Sequence, residues 1–146
     1  MLALINDDTR EDLTMPQRTM RFLDRDECFD RLAQARLGRA AVTLTGVPHV
    51  VPVNYAVLDG TIVFRSGAGT KFDAALLSEP MSFEVDHFDE DAATGWSVLV
   101  SGRSHLVVDP AEVARIDALP LEALDPSGKH AVVRVEADLV SGRAID

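Results

Sequence analysis

The stretch Phe64-Arg65-Ser66-Gly67-Ala68-Gly69-Thr70-Lys71 carries the densest chemistry in this chain. Two cations, two hydroxyls and two glycines fall within seven residues, and no Asp or Glu occurs from Gly60 to Phe72. A guanidinium grips two oxygens of a phosphate, and an ammonium adds a point charge. Glycines let backbone approach an anion closely. The stretch also opens a short predicted helix, about Lys71 to Leu77, with Thr70 as its N-cap and Pro80 just beyond its end. A helix start presents unpaired N–H groups and partial positive charge. The stretch therefore predicts a phosphate site. The competing reading is a plain strand-to-helix connection with a capping threonine and two solvated cations. The order Gly-Thr-Lys and the position of the first glycine exclude a P-loop.

Two further stretches offer surfaces for a planar ligand. In His49-Val50-Val51-Pro52-Val53-Asn54-Tyr55, a proline and an amide interrupt a valine run, which exposes backbone groups or simply marks an edge strand. In Gly95-Trp96-Ser97-Val98-Leu99-Val100-Ser101-Gly102-Arg103, the single tryptophan starts a strand, where it stacks on a ring, meets another subunit or packs half-buried in the core. Arg103 also reads as an ordinary surface position. Glu84, Asp86, His87, Asp89, Glu90 and Asp91 invite a metal, but they lack the calcium-loop glycine, and the reading is a solvated acidic loop. No Gly-x-Ser-x-Gly elbow accompanies the four histidines. Cys28 falls on the apolar side of a predicted helix and reads as packing. No catalytic residue and no metal ligand is assigned.

The elements that must position these residues follow from periodicity. Residues 1 to about 20 are patternless and predict a loose lead-in to one domain over 21–146. Phe29, Leu32, Ala33 and Leu37 recur at helical spacing, so a helix runs from a cap at Asp24 or Asp26 to Gly38. Runs 39–44, 49–58 and 61–65 are β-branched. They are separated by a turn at Thr45-Gly46-Val47-Pro48 and another at Asp59-Gly60, the latter a strong hairpin signal. Runs 81–88 and 96–108 flank an acidic connection. Asp109-Pro110 starts a helix that ends near Leu119-Pro120, and a final strand pair covers 130–139 and 140–145. Six to seven strands joined mostly by hairpins predict an antiparallel sheet that closes on itself to remove its edges.

Composition narrows the partners. The chain has 146 residues, and 14 Lys and Arg stand against 24 Asp and Glu, for a net charge of -10. This disfavours nucleic acid and anionic membrane surfaces, which need a basic face. One cysteine leaves no intramolecular disulfide, and no apolar run nears the roughly 20 residues that span a bilayer. The start has no basic, apolar leader pattern, and a cytoplasmic location is expected.

The order of the motifs gives a resemblance. LGR at 37–39, AAVTL and GVPHVVPVNY, DGTIVFRSGAGTK, SFEVD, GWSVLVSGR and a terminal VSGR follow one another from about Asp26 to the end. In this order the chain resembles short bacterial members of the pyridoxamine 5'-phosphate oxidase-like, flavin-binding split-barrel superfamily. The resemblance implies a mainly β split antiparallel barrel with short helices, usually homodimeric. FMN, or alternatively a deazaflavin coenzyme, would lie at the dimer interface. It implies that Arg65, Ser66, Thr70 and Lys71 hold the phosphate and that Val51, Pro52, Val53 and Asn54 line the ring. Trp96, Ser97 and Arg103 would border the cofactor, from either chain. The implied function is a flavin-dependent oxidoreductase acting on an unidentified small molecule, with a flavin or deazaflavin binder without turnover as the alternative. A haem-binding relative would need a histidine ligand that no motif here supplies. The arginine-bearing C-terminal segment of true pyridoxamine phosphate oxidases has no counterpart here, which argues against vitamin B6 oxidation.

Overall fold

The computed structural model describes residues 18–67, 69–76, 78–122 and 130–146, with backbone alone at 70, 72 and 76. Among the described residues the order is β1 (Met20–Leu23), α1 (Arg25–Gln34), β2 (Leu37–Leu44), β3 (Val47–Leu58), β4 (Thr61–Ser66), α2 (Thr70–Leu76), β5 (Pro80–Asp89), β6 (Thr94–Leu106), α3 (Pro110–Asp117), β7 (Ala131–Val135) and β8 (Leu139–Ile145). Every strand pairing is antiparallel. Six strands close a barrel in the order β6-β5-β2-β3-β4-β7 and back to β6, while β8 and β1 extend the sheet outside it. The predicted split antiparallel barrel is the observed fold.

Local chemistry explains the elements. Asp24 caps α1 in a reciprocal box: its carboxylate accepts from the Glu27 N–H at 2.8 Å, and the Glu27 carboxylate accepts from the Asp24 N–H at 2.9 Å. Asp109 caps α3, with Pro110 in its first turn. Thr45-Gly46 and Asp59-Gly60 both take positive φ, at 52° and 76° and at 51° and 69°, which matches the twist of tight two-residue hairpins.

Four expectations are corrected. The first helix stops at Gln34, with Ala33 exposed, because Leu37 and Gly38 already belong to β2. Gly38 is not a helix cap; a Cβ there would lie 2.5 Å from the Phe83 ring. The first turn is two residues, and Val47 and Pro48 lie in β3. In α2 the Gly69 carbonyl accepts the first intrahelical bond, from the Asp73 N–H at 2.9 Å, so Gly69 takes the N-cap position and Thr70 is the first helical residue.

The fourth correction concerns the last strand pair. β7 and β8 do not pair with each other. Both use the same edge of β6 in succession: residues 95–101 of β6 pair with β8, and 104–106 pair with β7. Gly102 sits where the two part, and a Cβ on it would lie 1.9 Å from the Glu136 carbonyl oxygen. β3 divides in the same way. Residues 47–54 pair with β2, and the pairing with β4 covers only 55–58.

The barrel interior is packed by residues such as Ile62, Phe64, Phe83, Val98 and Val133, with Cys28 and Leu32 of α1 and Ala74 and Ala75 of α2 joining the same cluster. Cys28 is packing, as expected, and burial pushes its thiol up. A second, smaller core of Val63, Val107, Ile116, Leu121 and Val132 lies between the barrel wall and α3. Tyr55 ties the layers: its ring meets Phe83 edge-on at 4.9 Å, and its hydroxyl donates to the Leu32 carbonyl.

Two outcomes follow. Gly102→Ala overpacks the split and lowers unfolding free energy by about 2–3 kcal/mol, while Gly46→Ala, at a turn with open space around it, costs about 1 kcal/mol, both read by denaturant titration. Tyr55 is the single tyrosine, and burial raises its phenol above the ordinary value. Burial thus favours the neutral form. The phenol's contribution to stability is complete below about pH 10 and is lost above it, so phenolate absorbance rises only with unfolding.

Candidate functional site

Two of the three candidate stretches leave one ladder end together. Tyr55 and Phe64 are the last paired residues of β3 and β4 on that side. Beyond them β3 turns away to pair only with β2, and β4 runs on to pair with β7. Val51–Asn54 and Arg65–Ser66 therefore part beyond that ladder end, each paired with a different strand.

Among the described residues, β3 has no strand partner over 51–54 on the side away from β2. The Tyr55 N–H donates to the Arg36 carbonyl at 3.0 Å, toward the β2 side. Backbone direction alternates along a strand, so Val53 and Val51 also face β2, and the groups of Pro52 and Asn54 face the open edge. Proline is tolerated there because no partner strand needs its N–H. The open edge thus presents two carbonyls and the Asn54 N–H, with the Asn54 side-chain amide beside them. Val53 and Val51 turn their side chains inward, Val53 buried and Val51 packed against the core.

The β4 wall divides by parity. Ser66 is buried and its hydroxyl donates to the Gly67 carbonyl at 3.0 Å. Arg65 points to the opposite face. Its Nη2 donates to the Asp117 carboxylate of α3 at 2.7 Å and its Nε to the Leu121 carbonyl at 3.1 Å. Two more arginines fasten the same helix, Arg115 to Asp59 at 2.9 Å and Arg134 to Glu112 at 3.1 Å. Arg65 therefore anchors α3 in this structure. α2 has only seven residues, so the loop and Lys71 carry more of any anion site than the helix terminus does. Lys71 is half-buried.

The third stretch lies elsewhere in the same chain. β6 is three strands from β3 in the sheet, or about 14 Å at the usual spacing. Trp96 packs half-buried against the core opposite His87 and Ala144, and Ser97 stands opposite Asp86 and Arg143. Arg103 is exposed opposite Pro80, and its N–H donates to the Asp138 carboxylate at 3.2 Å. Trp96 and Arg103 are seven residues apart, roughly 23 Å along the strand. One chain does not bring all eleven candidates around one ligand.

Sequence reasoning missed what lies between. Among the described residues, the outward face from β1 to β3 carries no helix and exposes Phe22, Leu37, Val50, Phe88, Leu99 and Leu139. A cleft of about 360 Å³ lies toward one end of these strands, lined by Ala41, Thr43, Pro48, Pro80, Ser82 and Ser101, and the two serine hydroxyls are 2.8 Å apart. The predicted solvated acidic loop is in part strand: Glu84, Asp86, His87 and Asp89 belong to β5, with Glu84 and Asp86 on its outward side, and only Glu90 and Asp91 lie in the turn. Glu84 and Asp86 both accept from Arg39, at 3.0 Å and 3.2 Å. Partial burial, and then the Asp86 carboxylate, push the Glu84 carboxyl above its ordinary value, and Arg39 opposes this. The signal was the alternation of β2 and β5, visible once their registers are known. No group of three metal-ligating side chains occurs among the described residues, and no helix among them is long and apolar enough to cross a membrane.

The fold is a split barrel in which β3 and β4 part beyond Tyr55 and Phe64. The family model for pyridoxamine 5'-phosphate oxidase matches residues 24–144. An uncharacterised protein of Mycobacterium tuberculosis, Rv0080, is 35% identical over 125 residues, which cover 82% of each chain. Among solved structures, the FAD-binding protein of Mycobacterium smegmatis is 32% identical with a TM-score of 0.70, covering 85% of this chain and 96% of its own. A FAD-binding protein of Mesorhizobium loti is 27% identical with a TM-score of 0.75, covering 88% of this chain and 98% of its own. The chain belongs to the pyridoxamine 5'-phosphate oxidase family.

The Arg65–Asp117 pair is testable by a double-mutant cycle. Arg65→Ala and Asp117→Ala each destabilise, and the pair shows a coupling of about 0.5–1 kcal/mol in denaturant unfolding, as for an ion pair with one partner in solvent.

Proposed function

We propose that this protein binds a flavin at a site shared by two chains and works as an oxidoreductase on a small molecule. The observation that carries the reading is the β3 edge at Pro52–Asn54, which has no strand partner among the described residues, at the same ladder end from which the acid-free stretch 65–71 departs. The pyrimidine side of a flavin ring presents alternating donors and acceptors. The edge answers with two carbonyls, one N–H and an amide, groups that burial would otherwise leave unsatisfied. The donor set therefore fits the ring, and the proposal assigns the ribityl phosphate to Ser66, Thr70 and Lys71. Arg65 supports this wall from behind by fixing α3.

Of the β6 candidates, Trp96 packs against its own chain's core, and Arg103 lies roughly 20 Å further along the strand than Ser97. Ser97 alternates with the buried Val98 and faces outward, and it would reach that ring only from a second copy, so the reading includes a homodimer. The helix-free apolar face supports this, because such a patch on a soluble chain marks an association surface. The bound flavin would carry the electron pair by hydride exchange. The chain's own residues hold the ring edge, neutralise the phosphate and exclude water with the partner's β6. FMN is the proposed cofactor. The relatives that bind FAD make a second nucleotide half an open variant, and a deazaflavin shares the same edge chemistry.

A binder without turnover is the second reading. It is favoured by one observation: no histidine or carboxylate is among the side chains assigned to the cofactor.

Absorbance of the purified protein after loading with flavin and removal of the excess tests both. Wild type retains the flavin spectrum. Lys71→Ala weakens retention on the order of tenfold or more, while Arg65→Ala leaves it within about twofold, because its guanidinium faces α3. No retained flavin in wild type would overturn the proposal. Oxidation of reduced nicotinamide nucleotides by the loaded protein supports the oxidoreductase, and its absence across donors supports the binder.

A further inference from the structure

We infer that the molecular two-fold axis runs between β2 and β5, over the Arg39–Glu84 pair, and that these two residues select a second copy of this chain as partner. The inference rests on the two-chain reading above and goes further by locating the contact that makes the face self-complementary.

The geometry begins with strand order. For β6 of one chain to lie over β3 of the other, a two-fold axis in the interface must pass midway in the order β6-β5-β2-β3. Midway is the seam between β5 and β2. On the outward face of that seam Arg39 stands directly opposite Glu84, and Ala41 opposite Ser82. The row through Arg39 continues to Pro52 on β3 and to Leu99 on β6.

Rotation about this axis reverses each row against itself. Arg39 then meets the partner's Glu84, and Glu84 meets the partner's Arg39. Leu99, 44% exposed in one chain, meets the partner's Pro52, apolar against apolar. Ala41 meets the partner's Ser82, small against small. Unlike charge faces unlike charge at the centre, which fixes register and penalises other pairings.

Arg39 is prepared for such a contact. Both of its carboxylate bonds within the chain come from Nη1. The guanidinium has five donors, so Nε and Nη2 remain for the partner's carboxylate. The side chain is 50% exposed and Glu84 33% exposed, so both are reachable. Two arginines and two glutamates would close a ring of four alternating charges.

Sedimentation equilibrium over a concentration series tests this. Wild type dimerises. Arg39→Glu and Glu84→Arg each place like charges across the seam and raise the dissociation constant on the order of tenfold or more. An equimolar mixture of the two variants regains dimer at close to the wild-type constant, because every cross-seam pair in the heterodimer is again unlike. A role confined to one chain gives no recovery on mixing. The inference is overturned if the single variants dimerise like wild type, or if the mixture stays monomeric. Recovery instead on mixing Arg143→Asp with Asp86→Arg would put the axis over β6 and overturn it. A wild-type chain that is monomeric throughout would overturn the two-chain site itself. Arg39→Gln and Glu84→Gln, which add no repulsion, give smaller increases and check that folding is intact by circular dichroism.

Discussion

One edge of β6 serves two strands, and most of the architecture depends on that division. An antiparallel strand has a single row of N–H and C=O groups on each side, so β7 and β8 can share an edge only in sequence along it. Where they part, the backbone of Glu136 crosses so near Gly102 that no side chain fits. The first half of β6 then builds a broad sheet with β8 and β1, and the second half closes the barrel through β7. The interior and the α3 side are covered. The outward face of the broad sheet is not, and its exposed leucines, valines and phenylalanines follow from the split.

β3 repeats the device with a different outcome. Its far edge is also abandoned by a neighbour, and among the described residues no second strand replaces it. Backbone groups at Pro52 and Asn54 keep their hydrogen-bonding demand and must meet water or a ligand. A flat ligand with alternating donors and acceptors is a natural substitute for a strand. The unpaired β3 edge and the departure of β4 toward β7 are thus two results of one divergence.

Much of this was legible in the residues. Asp59-Gly60 forced a hairpin, Asp24 and Asp109-Pro110 fixed two helix starts, and Pro52 marked an edge. These are local effects, decided within a few residues by φ preference or capping. The division of β6 was not legible, since Gly102 reads as any strand glycine until Glu136 is placed beside it. Leu37 and Gly38 continued a helical period that the pairing with Asn54 and Val53 overrode. Arg65 was grouped with Ser66 by proximity, but neighbours on a strand point to opposite faces, and Asp117 supplies a partner 52 residues away. Glu84 and Asp86 read as loop because their cation, Arg39, is 45 and 47 residues distant.

A site completed by two chains makes cofactor binding and association one equilibrium. If the ring touches β3 of one protomer and β6 of its partner, each bound flavin adds contacts that only the dimer has. Occupancy then tightens the dimer, and dimerisation tightens the flavin by the same factor. The bare β3 edge sharpens this coupling. Dimerisation without a ligand would bury carbonyls and an N–H that lack partners, a cost the ring removes by bonding to them. The helix-free face supplies attraction and the β3 edge opposes closure of an empty site. On the two-chain reading, the balance gives a pair of chains that forms without flavin and closes more tightly around it.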